Sequence, residues 1–190
     1  MDNVILVTGA NGFVGRHVIA RLAQETDAQI VGVDIHQKTR HETLVARDKL
    51  TYIQADLTDK QQQQKLLEDF RFETIIHLAG MLSKGSDITA HTLLFEVNVH
   101  ATFLLLETAR EHGSRFIFPS TGLIYGDQRS RHTEAMPANP AGFYAQTKWL
   151  CEENIRYFEQ QYGFSYVIFR PAVLYGPGQE GTMFVPSMVR

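Results

Sequence analysis

Short runs of β-branched and aliphatic residues alternate along the chain with longer segments whose apolar positions recur every three to four residues, a pattern that predicts parallel strands joined by helices. The strand runs are Val4 to Thr8, Gln29 to Asp34, Leu50 to Ala55, Thr74 to Leu78, Arg115 to Pro119 and Ser165 to Arg170. Most are apolar throughout, which suits strands covered on both faces. Helical spacing runs over Phe13 to Gln24, Asp59 to Phe70, Ala90 to His112 and Phe143 to Tyr162. Thr58 is the expected N-cap of the second helix, and Gly113 and Gly163 are the expected stops of the last two. The expected fold class is α/β, a doubly wound parallel sheet flanked by helices. Segment 35–49, with two histidines and weak periodicity, reads as a loop with a short helix at most. Gln61 to Gln64 read as a solvated helix face.

Composition narrows the picture. The 190 residues are 44% hydrophobic and 21% charged, enough for one sizeable core, and exclude a disordered tail, a collagen-like repeat or a disulfide scaffold. The net charge of −3, with no basic stripe, argues against nucleic acid as a partner. With a single cysteine, Cys151, and no charged leader before an apolar run, the expected compartment is the cytoplasm. The longest unbroken apolar stretches, near residues 3–7 and 102–106, fall short of the roughly 20 residues that cross a bilayer, so no membrane association is expected. Among the eight histidines, His36 and His41 lie five apart on the expected loop, without a ligand spacing, so no metal is expected. Cys151 reads as a small packed residue, and Glu152, Glu153 and Arg156 as an exposed, ion-paired helix face.

The first strand runs into Gly9-Ala10-Asn11-Gly12-Phe13-Val14-Gly15 and then a helix, the strand, turn, helix context that a dinucleotide requires. Gly9 allows the turn, Gly12 lets the backbone approach a pyrophosphate, and Gly15 lets the helix pack closely on the strand. Asp34 ends the second strand nineteen residues after Gly15, where a carboxylate accepts both hydroxyls of the adenosine ribose and repels a 2′-phosphate. NAD is therefore favoured over NADP, with Lys38 and Arg40 nearby pulling the other way.

Tyr144 and Lys148 stand at i and i+4, on one face of the last helix. A fixed ammonium stabilises a phenolate, so the pair is suited to acid/base work near neutral pH, although Tyr/Lys pairs also occur on ordinary solvated faces. Thr121, on the loop after the fifth strand, adds a hydroxyl that can hold a substrate oxygen beside the phenol.

The ordered set of Gly9-x-x-Gly12-x-x-Gly15, Asp34, Asp56-Leu57, His77-Leu78-Ala79-Gly80, Asn98, Ser120-Thr121 with Tyr125-Gly126, Tyr144-x-x-x-Lys148, Arg170-Pro171 and Tyr175-Gly176-Pro177-Gly178 resembles the extended short-chain dehydrogenase/reductases, in particular the NAD-dependent epimerase/dehydratase family. The resemblance implies NAD as cofactor, with Thr121, Tyr144 and Lys148 as the catalytic set. It implies that Gly9, Asn11, Gly12, Phe13, Val14, Gly15 and Asp34 contact the cofactor, that Asp56 and Leu57 meet adenine, that Leu78, Ala79 and Gly80 line the cleft, and that Asn98 shapes its floor. Tyr144 and Lys148 would also touch the nicotinamide half.

Family dehydratases usually carry an Asp-Glu pair after the catalytic hydroxyl. Here Gly122 and Leu123 stand there, which disfavours dehydration. Gly80 resembles the sugar 4-epimerases, whereas Ala172-Val173-Leu174, without the asparagine of nucleotide-sugar members, is similar to hydroxysteroid dehydrogenase-like members. The expected function is NAD-dependent hydride transfer at a carbinol carbon, nucleotide-sugar epimerase in type. The alternatives are a dehydrogenase of a non-nucleotide alcohol or ketone and a catalytically weak NAD-binding or regulatory protein. The expected partners are a small-molecule substrate such as a nucleotide sugar and a second copy of the chain, paired through the helices carrying Phe95, Phe103, Trp149 and Tyr157. Arg129, Arg131 and His132 read either as diphosphate contacts or as a solvated basic loop. Residues 1–178 are expected to form the NAD-binding domain with the catalytic residues, and residues 179–190 the start of a truncated substrate-binding region.

Overall fold

The computed structural model describes residues 3–37, 49–82, 87–126 and 131–179. Lys38, Arg40, His41, Arg129 and residues 180–190 lie outside them.

Six parallel strands, β1 (Val4–Thr8), β2 (Gln29–Asp34), β3 (Leu50–Gln54), β4 (Thr74–His77), β5 (Arg115–Pro119) and β6 (Tyr166–Phe169), form one sheet in the order β3-β2-β1-β4-β5-β6. The order reverses direction between β1 and β4, and open α/β sheets bind ligands at such a switch, beyond the carboxyl ends of the strands. β1 shows why its residues are apolar throughout. Val4 and Leu6 join one buried cluster with Leu105, Leu106 and Ile155, while Ile5 and Val7 join another with Ile19 and Ile30. Alternate side chains thus enter the two opposite helical layers.

The helices are α1 (Phe13–Glu25), α2 (Lys60–Asp69), α3 (Ile88–Leu94), α4 (Ala101–His112) and α5 (Gly142–Tyr162). α2 is capped by Asp59, whose side chain accepts from the Gln61 and Gln62 amides, and not by Thr58. Thr58 is engaged instead by Asp56, whose Oδ1 accepts from both its amide and its hydroxyl. The third predicted helix starts earlier than Ala90, on Asp87, whose carboxylate caps the Ala90 amide. It is also interrupted, because Phe95–His100 form a wide π-helical turn between α3 and α4. Counted together, Ile88–His112 make 25 residues with a best-window hydropathy of 1.2, long and apolar enough to cross a membrane by length and composition. Its unbroken apolar runs remain short, with Glu96, Asn98 and His100 interrupting them. Leu105, Leu106 and Ala109 on this helix are nonetheless fully buried against the sheet, as in a core helix.

Candidate active site

The site is built at the switch between β1 and β4. Gly9 leaves β1 with φ +64°, a left-handed conformation that favours glycine, and a Cβ there would meet the Ala79 nitrogen at 2.8 Å. Three bonds close the turn: Ala10 N donates to Val33 O (3.1 Å), Gly12 N to Gly9 O (3.0 Å) and Asn11 N to Asp34 Oδ2 (2.9 Å). Asp34 therefore braces the glycine turn itself, and its Oδ1 accepts from the His36 amide (3.0 Å). The Asn11 amide is committed to Asp34, and its side-chain Nδ2 donates to Gln37 O (3.2 Å).

Several features of this cradle fit a dinucleotide. α1 begins on Gly12 with no side chain capping its first turn, so the Phe13 and Val14 amides face outward as donors for an anion. Gly15 is buried behind them, holding α1 against the turn. Across the cleft, a Cβ on Gly80 would occupy the space before Asn98 Oδ1 (3.3 Å) and Lys148 Nζ (4.0 Å). A cofactor ribose needs that space free. Phe13, Val14, Asp34, Ala79, Gly80 and Lys148 are placed so that they could hold NAD. Leu57 is buried beside Asp56, and Asp56 is already engaged with Thr58, so these two shape the loop after β3.

Asn98, in the π-helical turn, is 2% exposed. Its Oδ1 accepts from Met81 N (2.7 Å), and its Nδ2 donates to Met81 O (3.0 Å) and Thr147 Oγ1 (3.1 Å). One side chain thereby pins the loop after β4 to the helix that carries Tyr144. Wide helical turns tend to mark functional positions, since they re-aim a side chain that a regular helix would direct elsewhere.

Below this floor, His77 is buried in a polar chain. Ala79 N donates to Thr8 Oγ1 (3.0 Å), whose proton goes to His77 Nδ1 (2.7 Å). Thr102 donates its proton to Asn98 O (2.5 Å) and therefore accepts from His77 Nε2 (3.0 Å). The imidazole is the neutral Nε2–H tautomer, with its pKa pushed down to about 3 by burial and by Lys148. An unfolded chain takes up a proton near pH 6.5, so this contribution to stability is complete above that pH. It is lost at about 1.4 kcal/mol per pH unit as the pH falls from there toward 3. We expect His77→Asn to flatten the dependence of unfolding free energy on pH between 6 and 4 by about one proton. Urea unfolding across that range measures it, and an unchanged slope would refute the assignment.

Thr121, Tyr144 and Lys148 line one cleft of about 590 Å³, together with Gly80, Leu123 and Val173. Thr121 is 8% exposed, and its Oγ1 accepts from Leu123 N (3.2 Å), starting the 3₁₀ turn Gly122–Tyr125. Lys148 is 6% exposed, with Nζ 4.1 Å from the centre of the Phe118 ring, and burial pushes its pKa down to about 8 while Glu152 pulls it up. Tyr144 departs from expectation. Burial, and after it Cys151, push its phenol above the ordinary value, opposite to the lowering expected from the paired ammonium.

Two further features were not foreseen. Glu152 is fully buried and not on an exposed face, although its pair with Arg156 does form (2.6 Å). The chain after β6 bridges the mouth of the cleft: Pro171 to Leu174 line it, and at the far end Arg16 Nη2 donates to Gly178 O (2.7 Å) and His17 Nε2 lies 3.0 Å from Pro177 O. Of the basic loop, Arg131 is exposed and His132 packs on the Tyr125 ring (5.1 Å between centroids). Cys151 is buried, with Sγ donating to Asn98 O (3.1 Å).

Comparison with known proteins gives the family and the fold relatives. The NAD dependent epimerase/dehydratase family matches residues 5–190. A dTDP-glucose 4,6-dehydratase of Mycobacterium tuberculosis is 30% identical over 97% of this chain and 57% of its own length. A UDP-glucose 4-epimerase of Mycolicibacterium smegmatis is 34% identical over 92% of this chain and 57% of its own. Among solved structures, the Thermus thermophilus UDP-glucose 4-epimerase in complex with NAD superposes with a TM-score of 0.83 at 30% identity, covering 93% of this chain and 57% of that one. The chain spans less than two thirds of the length of these relatives. It belongs to the NAD dependent epimerase/dehydratase family.

Proposed function

We infer that this chain is the NAD-binding and catalytic part of an enzyme that transfers hydride at a carbinol carbon of a nucleotide sugar, epimerase in type. Residues 1–178 form the cofactor domain, and residues 179–190 open a substrate-binding region. The observation that carries the reading is the convergence of Thr121, Tyr144 and Lys148 on one cleft whose Leu78 and Gly80 edge follows the strand end against which Gly9 packs. Bound NAD would supply the hydride acceptor, and on return the hydride donor, for the substrate carbinol carbon.

The chain's own groups manage the proton and the geometry. Thr121 holds the substrate oxygen, and Tyr144 accepts its proton on the phenolate oxygen and gives it back. Lys148, buried against Phe118, would orient the ribose and, with the cofactor bound beside it, supply the positive charge that a phenolate needs against the burial that raises the phenol. Gly122 and Leu123, the residues after Thr121, carry no side-chain acid, which favours epimerisation or simple oxidation over loss of water. The non-nucleotide alcohol reading is retained for one reason: Leu123, Ala172, Val173 and Leu174 give the cleft an apolar wall. The partner is a second copy of the chain, joined through the α4 and α5 faces where Phe103 and Tyr157 stand 39% and 55% exposed, and the compartment is the cytoplasm.

The test has two arms. Calorimetric titration should show tighter binding of NAD than of NADP, and Asp34→Ala should narrow that gap. Interconversion of UDP-glucose and UDP-galactose is assayed beside oxidation of apolar secondary alcohols. Turnover of the alcohols alone moves the assignment to a dehydrogenase, and equal affinity for both cofactors removes the role of Asp34.

A further inference from the structure

The two sequence motifs left without a role, Tyr125-Gly126 and Arg170-Pro171, meet at one buried carboxylate. Glu152 lies one turn beyond Lys148 on α5 and is 0% exposed. Arg170 grips it with two nitrogens, Nε to Oε1 (2.9 Å) and Nη2 to Oε2 (2.7 Å), and turns its third, Nη1, to the Tyr125 hydroxyl (2.8 Å). Arg156 adds a bond to Oε2 (2.6 Å). Burial alone would raise the Glu152 pKa, but its polar partners, Arg170 first, then Ser120 and Arg156, outweigh it and hold the group ionised.

Buried ion groups seldom add net stability, because the cost of desolvating them offsets their attraction, and apolar side chains of similar volume hold elements together as well. What a guanidinium adds is direction. Its planar fork fixes the angle between everything it touches. Here it touches three elements: α5, which carries Tyr144 and Lys148; the 3₁₀ turn that starts on Thr121; and the end of β6, from which the cleft wall Pro171 to Leu174 departs. The turn and the wall are joined directly beside it, Gly122 N donating to Pro171 O (2.9 Å).

We propose that Glu152, Arg170 and Tyr125 form a clasp that positions the Thr121 turn and the 171–174 wall against α5, setting the distance between Thr121 and Tyr144. They are positioning residues, with no contact to the reacting atoms. The proposal rests on the assignment of Thr121 and Tyr144 to the reaction given above. The glycine turn of β1 makes none of these contacts, so the clasp governs the substrate side of the cleft and leaves the cofactor side alone.

The test uses the full chain. Tyr125→Phe removes only the hydroxyl acceptor, and Arg170→Lys keeps the charge on Glu152 while replacing a three-point fork by one ammonium. Loss of a hydrogen bond to a charged group should make the Gly122 amide exchange with solvent roughly tenfold faster or more in both variants, with no rescue by lysine. The Ala10 and Gly12 amides should keep their rates, and NAD affinity should stay within about twofold of the parent value. Trp149, the only tryptophan, has its ring 5.8 Å from Arg170 and 5.3 Å from Arg156, so its emission should change in Arg170→Lys. With UDP-glucose as substrate, kcat should fall about tenfold at unchanged KM for NAD. A parent chain that does not turn over UDP-glucose counts against the proposed reaction, and the exchange rates then decide the clasp. Unchanged exchange at Gly122, rescue by Arg170→Lys, or loosening of the Gly9 to Gly15 turn in step with lost NAD affinity would each overturn it.

Discussion

Gly15→Ala should abolish measurable NAD binding and destabilise the fold. A Cβ at Gly15 would lie 2.1 Å from Gly9 O, 2.9 Å from the Gly9 carbonyl carbon and 3.0 Å from Ala10 Cα, all backbone atoms that no rotamer change can move aside. Nor can the turn retreat, because Ala10 N, Asn11 N and Gly12 N are bonded to Val33, Asp34 and Gly9, and Gly9 sits against Ala79. Either α1 shifts away from β1 or the turn opens, and in both cases the uncapped amides of Phe13 and Val14 lose their aim. Overpacking of this kind costs about 1–3 kcal/mol, and more where the clash is with backbone. Gly113→Ala is the control. Unlike Gly15 it has a positive φ (+68°), but nothing lies within 4 Å of its Cβ, so only backbone strain of about 1 kcal/mol is expected. Urea unfolding and NAD calorimetry on both variants measure the difference. If Gly15→Ala bound NAD as the parent does, the close packing of α1 on the turn would not matter for the cofactor.

Tyr144→Phe should lower turnover by about 10²- to 10⁴-fold, the contribution typical of a positioned general acid/base, with cofactor affinity nearly unchanged. Burial holds the phenol protonated above its ordinary range in this structure, so removing its hydroxyl leaves no charge unpaired and should not unfold the chain. Lys148→Met differs. Its ammonium is 6% exposed and faces the space above Gly80, so both turnover and NAD affinity should fall. Steady-state rates and calorimetry on the two variants separate these outcomes. A Tyr144→Phe protein that kept most of its rate would move the proton transfer to another group.

The legible and illegible parts of this protein divide along one physical line. Strand and helix positions, the Gly9 to Gly15 turn, the i, i+4 relation of Tyr144 and Lys148 and the stops at Gly113 and Gly163 all came from the sequence within a residue or two, the start of the third helix and the cap of the second included. These features depend on contacts between near neighbours in the chain, where propensity, periodicity and capping act.

Glu152, by contrast, reads as one more charge in a helix with Glu153 and Arg156 nearby, and its burial is created by Arg170, eighteen residues away on another element. No glycine or proline marks the π-helical turn at Phe95–His100, and only the pull of Met81 and Thr147 on Asn98 explains where that side chain is directed. The same holds for the reach of 171–179 back to Arg16 and His17, and for the direction of the Tyr144 pKa. By itself the sequence determined the α/β architecture and which residues can meet a dinucleotide, because local geometry and the twofold burial of parallel strands restrict those choices. Tertiary structure alone decided which charges are buried, which groups they hold in place and how the cleft is walled, because solvent exclusion and pairing arise only when distant segments pack together.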